Sequence, residues 1–280
     1  MEELVLSRRL ALNLPADEPV QPSMVEFLSS ERWLPKRPRD GAEILATGLL
    51  YLLSALGGIY FSPAETTITS IWPPLGLAVG LLYLRGMHLW WGVLLGEFGL
   101  MAVLGLNTPV YLLIVAGNTL NAVAATLILK NSGFQPGLRR LRDLFILAVP
   151  AGLTVVLIGS VLGVATALAI GKSAANPADS LKLLFIWVGG DYMSLLLYGT
   201  LLVSWGTWRE LPWHRRAVIE WFSLIVVLLS ILSYVFVLDP GDNAGGLPTA
   251  FLVFPVLIWA GMRFRVPGAL LANFFITGMA

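Results

Sequence analysis

Residues 144–170 read LFILAVPAGLTVVLIGSVLGVATALAI, 27 consecutive positions without a charged side chain. As an α-helix this run would be about 40 Å long, more than the roughly 30 Å of a bilayer's hydrocarbon core. A helix packed on a soluble core would show a polar face, and this one has none. Similar apolar runs flank it at roughly 44–61, 71–84, 89–106, 109–129, 183–206, 218–238, 248–262 and 266–280. The chain as a whole is 57% hydrophobic and 12% charged, with a mean hydropathy of +0.79. These values leave too little polar surface to cover a water-soluble fold. The pattern predicts an all-α, polytopic transmembrane helical bundle of about eight or nine helices, with the lipid bilayer as its solvent. The 144–170 run is expected to tilt or kink at Gly152, Gly159 or Gly163, and the 71–84 run is short and opens on Trp72-Pro73-Pro74.

The net charge is +1, so only the distribution of charge is informative. If the runs are threaded alternately through a membrane, 16 of the 18 basic residues fall on the side of the N-terminus, among them Arg8, Arg9, Lys36, Arg37, Arg85, Arg139, Arg140, Arg215, Arg263 and Arg265. Lys172 and Lys182 fall on the other side with Glu65, Asp179, Asp239 and Asp242. The positive-inside rule then places the N-terminus in the cytoplasm. Residues 1–43, polar and punctuated by prolines, are expected to form a cytoplasmic tail, in which Met24 to Trp33 could make a short amphipathic helix. Residues 44–280 form the membrane domain, and the residues after Gly278 do not look like a finished terminus. Most of the ten tryptophans fall near predicted helix ends, where the indole suits the headgroup layer.

Several function classes are excluded. With no cysteine there is no thiolate nucleophile or cysteine metal site. His88 and His214 are the only histidines, neither has a partner at metal-ligand spacing, and both read as solvated loop residues. No Ser/His/Asp set and no glycine-rich phosphate loop is present, so no catalytic residue, metal ligand or cofactor is expected. Nothing points to nucleic acid.

Chemistry can instead reside in four polar residues inside the apolar runs: Glu97, Asn118, Asn121 and Asp191. Counting at 1.5 Å per residue, Glu97 lies ~13 Å into the third run, and Asn118 and Asp191 lie about as deep from the opposite surface. All three therefore come to the midplane. An isolated charge there costs ~2.5–3.5 kcal/mol, so Glu97 and Asp191 should face the bundle interior, paired or protonated. Asn118 and Asn121, one turn apart, share a face. Trp187, one turn before Asp191, would join it in one wall, and Trp72 could line a pocket beneath the first outer loop or simply anchor a rigid turn. Two readings of the cluster stand side by side: a pocket for a small ligand, and interhelical hydrogen bonding that merely holds helices together. Gly92, Gly96 and Gly99 form a small-residue face suited to close helix contact.

Five segments carry a resemblance. Trp72-Pro73-Pro74-x-Gly76 is followed by Arg85-Gly86-x-x-Leu89-Trp90-Trp91-Gly92-x-x-Leu95-Gly96-Glu97-Phe98. Then come Gly117-Asn118-Thr119-Leu120-Asn121-Ala122, Trp187-Val188-Gly189-Gly190-Asp191 and Phe254-Pro255-x-x-x-Trp259-Ala260-x-x-Arg263-Phe264. In this order they resemble the first type of membrane-associated sensor domain, the MASE family of bacterial signalling proteins, over about residues 44–280. The resemblance implies a non-catalytic input domain of the bacterial inner membrane. Such a domain is usually joined at its C-terminus to a histidine kinase of a two-component system or to cyclic-di-GMP enzymes. The expected partners are then an unidentified small-molecule ligand, a cytoplasmic output module or another membrane protein, and a homodimer is compatible with the glycine faces. The alternative reading is a small-solute transporter or substrate-binding membrane subunit, which the missing internal repeat disfavours. A third is a scaffold that recruits a membrane partner.

Overall fold

Helix starts and breaks, more than hydropathy, decide how the apolar runs become elements. The computed structural model describes residues 33–60, 62, 71–170, 177–204, 214–238 and 249–279, all helical or in turns between helices. The expected amphipathic helix at Met24–Trp33 and most of the 1–43 tail lie outside the described residues.

Helix α1 spans Pro38–Tyr60 and so begins six residues ahead of its apolar run. Pro38 suits a first helical position, and the Asp40 carboxylate accepts hydrogen bonds from the backbone N–H groups of Lys36 (2.8 Å) and Arg37 (2.9 Å). Capping thus draws polar residues into a helix that hydropathy alone starts later. α2, Pro73–Arg85, opens with its two prolines in the first turn, where missing N–H groups cost nothing. A 3₁₀ turn over Met87–Leu89 leads into α3, Trp90–Val103. α4 is Leu112–Asn131. α5 runs through Leu141–Ala169 and contains two π-helical segments, Leu147–Ala151 around Pro150 and Val155–Ser160 around Gly159. Of the three glycines at which a bend is expected, Gly159 lies in a widened π turn, whereas Gly152 and Gly163 lie in α-helical turns. α6 begins at Pro177 and continues through a third π segment, Leu195–Gly199, to Val203. α7 is Arg215–Ser233.

α8, Val253–Met279, is broken at Arg265, whose backbone lies at φ 55°, ψ −145°. A Cβ on Gly268 would meet the Ala260 carbonyl at 2.5 Å, although eight residues of straight helix would separate the two by about 12 Å. The two arms of α8 therefore fold back on each other. Among the described residues, six helical stretches are long and apolar enough to cross a membrane by length and composition, α8 being counted whole, while Met87–Val103 is apolar but shorter. α2 has 13 residues. The nine apolar runs are thus not nine equal spans.

Burial is inverted relative to a soluble protein. Leu45, Leu49 and Leu53 on α1, Leu153, Leu157 and Val161 on α5 and Phe222 on α7 are exposed, whereas Glu97, Asn121 and Asp191 are at most 1% exposed. Large apolar stripes facing outward around a polar centre need an apolar solvent.

Two buried clusters organise the chain. The larger is contributed by α1 to α6 and includes Tyr51, Leu82, Val93, Leu129, Val155 and Leu195. The smaller joins α7 to α8 through Trp221, Leu224, Leu228, Val256, Ala260 and Phe264. Trp221 stacks on Phe264 at 4.0 Å between ring centroids, so this tryptophan is a core residue and not an interface anchor. The second arm of α8 reaches the larger cluster, with Phe274 edge-on to Tyr198 at 5.4 Å.

Candidate functional site

The site is built where glycines let helices approach to backbone contact. On α1 and α3, a Cβ at Gly92 would meet the Ile44 carbonyl at 2.6 Å, and one at Gly96 would meet the Gly48 carbonyl at 2.9 Å and Tyr51 Cβ at 2.7 Å. This is the small-residue packing expected of the Gly92, Gly96, Gly99 face. It also has a chemical consequence, because it lays Tyr51 across Gly96 so that its hydroxyl donates to Glu97 Oε1 on the next residue. Asn118 of α4 donates its Nδ2–H to the same oxygen at 2.7 Å.

Asn121 continues the cluster one turn along α4. Its Nδ2–H donates to Asp191 Oδ2 of α6 at 3.4 Å, a long bond. Its Oδ1 lies 2.9 Å from the Thr154 hydroxyl of α5, which shares its proton with the Ala151 carbonyl at 2.7 Å. Gly159 leaves room for this meeting, since a Cβ there would sit 2.6 Å from Asn121 Nδ2 and 3.0 Å from Asp191 Oδ2. A turn further along, Trp187 lies on Gly163, where a Cβ would fall 2.5 Å from its ring. Trp187 and Asp191 thus face α5 together, as their spacing predicts.

The start of α2 is stitched to the same stretch of α6. The Trp72 N–H donates to the Gly190 carbonyl at 3.1 Å. Ser194 Oγ accepts from the Gly76 N–H at 2.9 Å and donates to the Pro73 carbonyl at 3.2 Å. Any side chain at Gly76 would collide with the Ser194 backbone. The Trp-Pro-Pro-x-Gly segment is therefore a docking element for the Asp191 helix, which places Trp72 beside it.

Of the six residues singled out from the sequence, Asp191, Glu97, Asn118 and Asn121 are buried together in this region, and Trp187 and Trp72, half-buried, border it. Asn118 and Asn121 join the Glu97 and Asp191 halves through α4. Among the described residues, two buried polar atoms of the set have no hydrogen-bond partner, Asp191 Oδ1 and the Trp72 indole nitrogen. No ion pair among the described residues involves Glu97 or Asp191. Tyr51, Thr154 and Ser194 were not singled out from the sequence. Each is one of many hydroxyl residues in apolar runs, and only helix rotation picks it out.

Magnitudes bear on both readings of the cluster. Its four interhelical hydrogen bonds, from Tyr51, Asn118, Asn121 and Thr154, contribute about 0.6 kcal/mol each. That roughly offsets the ~2.5–3.5 kcal/mol cost of holding one ionised carboxylate at such depth, a cost that a protonated carboxyl does not carry.

His88 departs from expectation. It is fully buried at the 3₁₀ turn between α2 and α3, not solvated, because Gly86, at φ 122°, turns the chain so that the imidazole packs back over it. His214 is exposed at the start of α7.

Against known proteins, the family model MASE1 matches residues 44–280, and the chain belongs to that family. MASE1 is a membrane sensory domain family found in signalling proteins, and its members serve as non-catalytic input domains. No curated protein and no solved structure matches the chain.

Proposed function

We propose that this MASE1 chain senses a small polar ligand at the buried cluster formed by Glu97, Asn118, Asn121 and Asp191, with Trp187 and Trp72 as its walls. The observation that carries the reading is Asp191: its carboxylate is buried among three helices, held by one long hydrogen bond, and its other oxygen has no hydrogen-bond partner among the described residues. A ligand that donates a hydrogen bond or brings a cationic group would satisfy that oxygen. It would favour the helix packing in which it fits, and so shift the balance between two arrangements. Of the four π segments among the described residues, one lies beside Asn121 and one follows Asp191, and widened turns of this kind are frequent at functional sites.

In this reading the chain lies in a bacterial inner membrane with its N-terminus in the cytoplasm, and the change in packing reaches a cytoplasmic output module through α8. The output is a histidine kinase or a cyclic-di-GMP enzyme.

The test is a thermal-shift screen of amino acids, amines, sugars and organic acids on the chain in nanodiscs, repeated on Asp191→Asn. The expected result is a compound that raises the unfolding temperature of the parent chain and has no effect on the variant. In the signalling protein as it occurs in the cell, Asp191→Asn should flatten the response at normal protein level. An unaltered response, or equal stabilisation of both chains, would overturn the assignment.

A further inference from the structure

A second polar cluster lies at the end of the bundle where α1 begins, apart from the sensing site. Asp40 and Glu43, three residues apart on α1, face the His88 imidazole from the turn between α2 and α3. His88 Nε2 lies 3.9 Å from Asp40 Oδ1 and 3.5 Å from Glu43 Oε2, and one donor atom from each residue lies within 4.8 Å of the other two. We infer that Asp40, Glu43 and His88 form a binding site for one first-row divalent transition-metal ion, of which Zn²⁺ is the representative.

Three features carry this. The first is spacing. Donors bonded at about 2.0–2.2 Å to a common tetrahedral ion lie about 3.4 Å apart, whereas an imidazole hydrogen-bonded directly to a carboxylate closes to about 2.7–2.9 Å. The observed 3.5 and 3.9 Å separations of His88 Nε2 from the two carboxylates match ligands around an ion to within a few tenths of an ångström, and the two carboxylates, with donor atoms within 4.8 Å of each other, would close onto it. The second is preorganisation. Asp40 Oδ2 is held by the N–H groups of Lys36 and Arg37, which fixes the plane of the carboxylate and turns Oδ1 to His88. On the other side of the ring, Nδ1 lies against Gly86, where a Cβ would come within 3.1 Å. The third is burial. The Asp40 and His88 side chains are fully buried and Glu43 is 29% exposed, so the site has two fixed ligands and one ligand on the route from solvent. An imidazole with two carboxylates suits Zn²⁺, Mn²⁺ or Fe²⁺ better than Mg²⁺, which prefers oxygen ligands only. Water would complete the shell. Arg85, whose Nη1 lies 3.7 Å from Glu43 Oε1, partly offsets the acidic charge from outside the triad.

The proposal is independent of the sensing reading, since none of its residues belongs to that cluster. A bound ion would tie the start of α1 to the turn before α3, the two helices whose contact places Tyr51 on Glu97.

The experiment uses the full chain without a polyhistidine tag, stripped with chelator, reconstituted in nanodiscs and titrated with Zn²⁺, with bound metal counted by elemental analysis. One Zn²⁺ per chain is expected. Glu43→Gln and His88→Gln should each weaken binding at least about a hundredfold, and His214→Gln should leave it unchanged. Co²⁺ in the same site should give the visible absorption of a tetrahedral or five-coordinate ion with nitrogen and oxygen donors. That spectrum, absent with His214 as the sole imidazole, keeps the test decisive if a variant does not fold. Failure of the parent chain to retain Zn²⁺ or Mn²⁺, or retention unaffected by Glu43→Gln, would overturn the site and leave a histidine–carboxylate ion pair in its place.

Discussion

The two buried clusters of this protein hold helices together by opposite means. Between α7 and α8 the interior is apolar and aromatic, with Trp221 stacked on Phe264 and leucines at one-turn spacing behind it. The ion pair of Glu220 with Arg263 lies at its exposed edge. Among α1 to α6 the apolar core instead encloses two carboxylates and two amides that form no ion pair among the described residues. The first cluster stabilises by dispersion. The second gives up part of that stabilisation for polar groups whose interactions are unfinished. On the function proposed above, stability and responsiveness are divided between the two parts of one membrane domain.

The comparison breaks most severely at the backbone contact of α1 with α3. Gly96→Leu would force the helices apart, and we expect almost complete loss of the monodisperse fraction in detergent size-exclusion chromatography. Gly57→Ala, at a glycine with open space around it, should leave that fraction unchanged. In the apolar cluster, Trp221→Ala should cost about 3–5 kcal/mol, measured as earlier unfolding of α7 and α8 by hydrogen exchange. The polar cluster should behave differently. Asn121→Leu alone strands Asp191 and costs about 2–3 kcal/mol, whereas Asn121→Leu with Asp191→Leu should return to within about 1 kcal/mol of the parent while abolishing any ligand-induced thermal shift. A double variant as unstable as the single would mean that the cluster is structural after all. Arg265→Gly should relieve about 1–3 kcal/mol of backbone strain and raise the unfolding temperature. The smallest effect belongs to Thr154→Val, about 0.6 kcal/mol in the same assay, for one of the bonds to Asn121.

The family and the positions of the polar residues were legible before any coordinates. Glu97, Asn118 and Asp191 stand out because a polar side chain in a long apolar run is costly wherever it points, and the cost is visible in one dimension. Tyr51 and Thr154 do not stand out, because a tyrosine or threonine is tolerated on either face of such a helix. The Trp-Pro-Pro-x-Gly segment was legible as a rigid helix start. That it docks on Ser194 and Gly190 required the path of α6, more than a hundred residues later. His88 was misjudged for a related reason: its neighbours in sequence are loop-like, and only the positive φ of Gly86 folds it under α1.

The sequence by itself determined the solvent, the helical class and the family, since burial of backbone polar groups in lipid admits few architectures and an apolar run declares its environment residue by residue. Which helices touch, which hydroxyls reach the carboxylates, and where α8 turns back were decided only in three dimensions. Hydropathy is nearly the same on every face of a membrane helix, so the rotation and neighbours of each helix depend on close glycine contacts and capping bonds between distant parts of the chain.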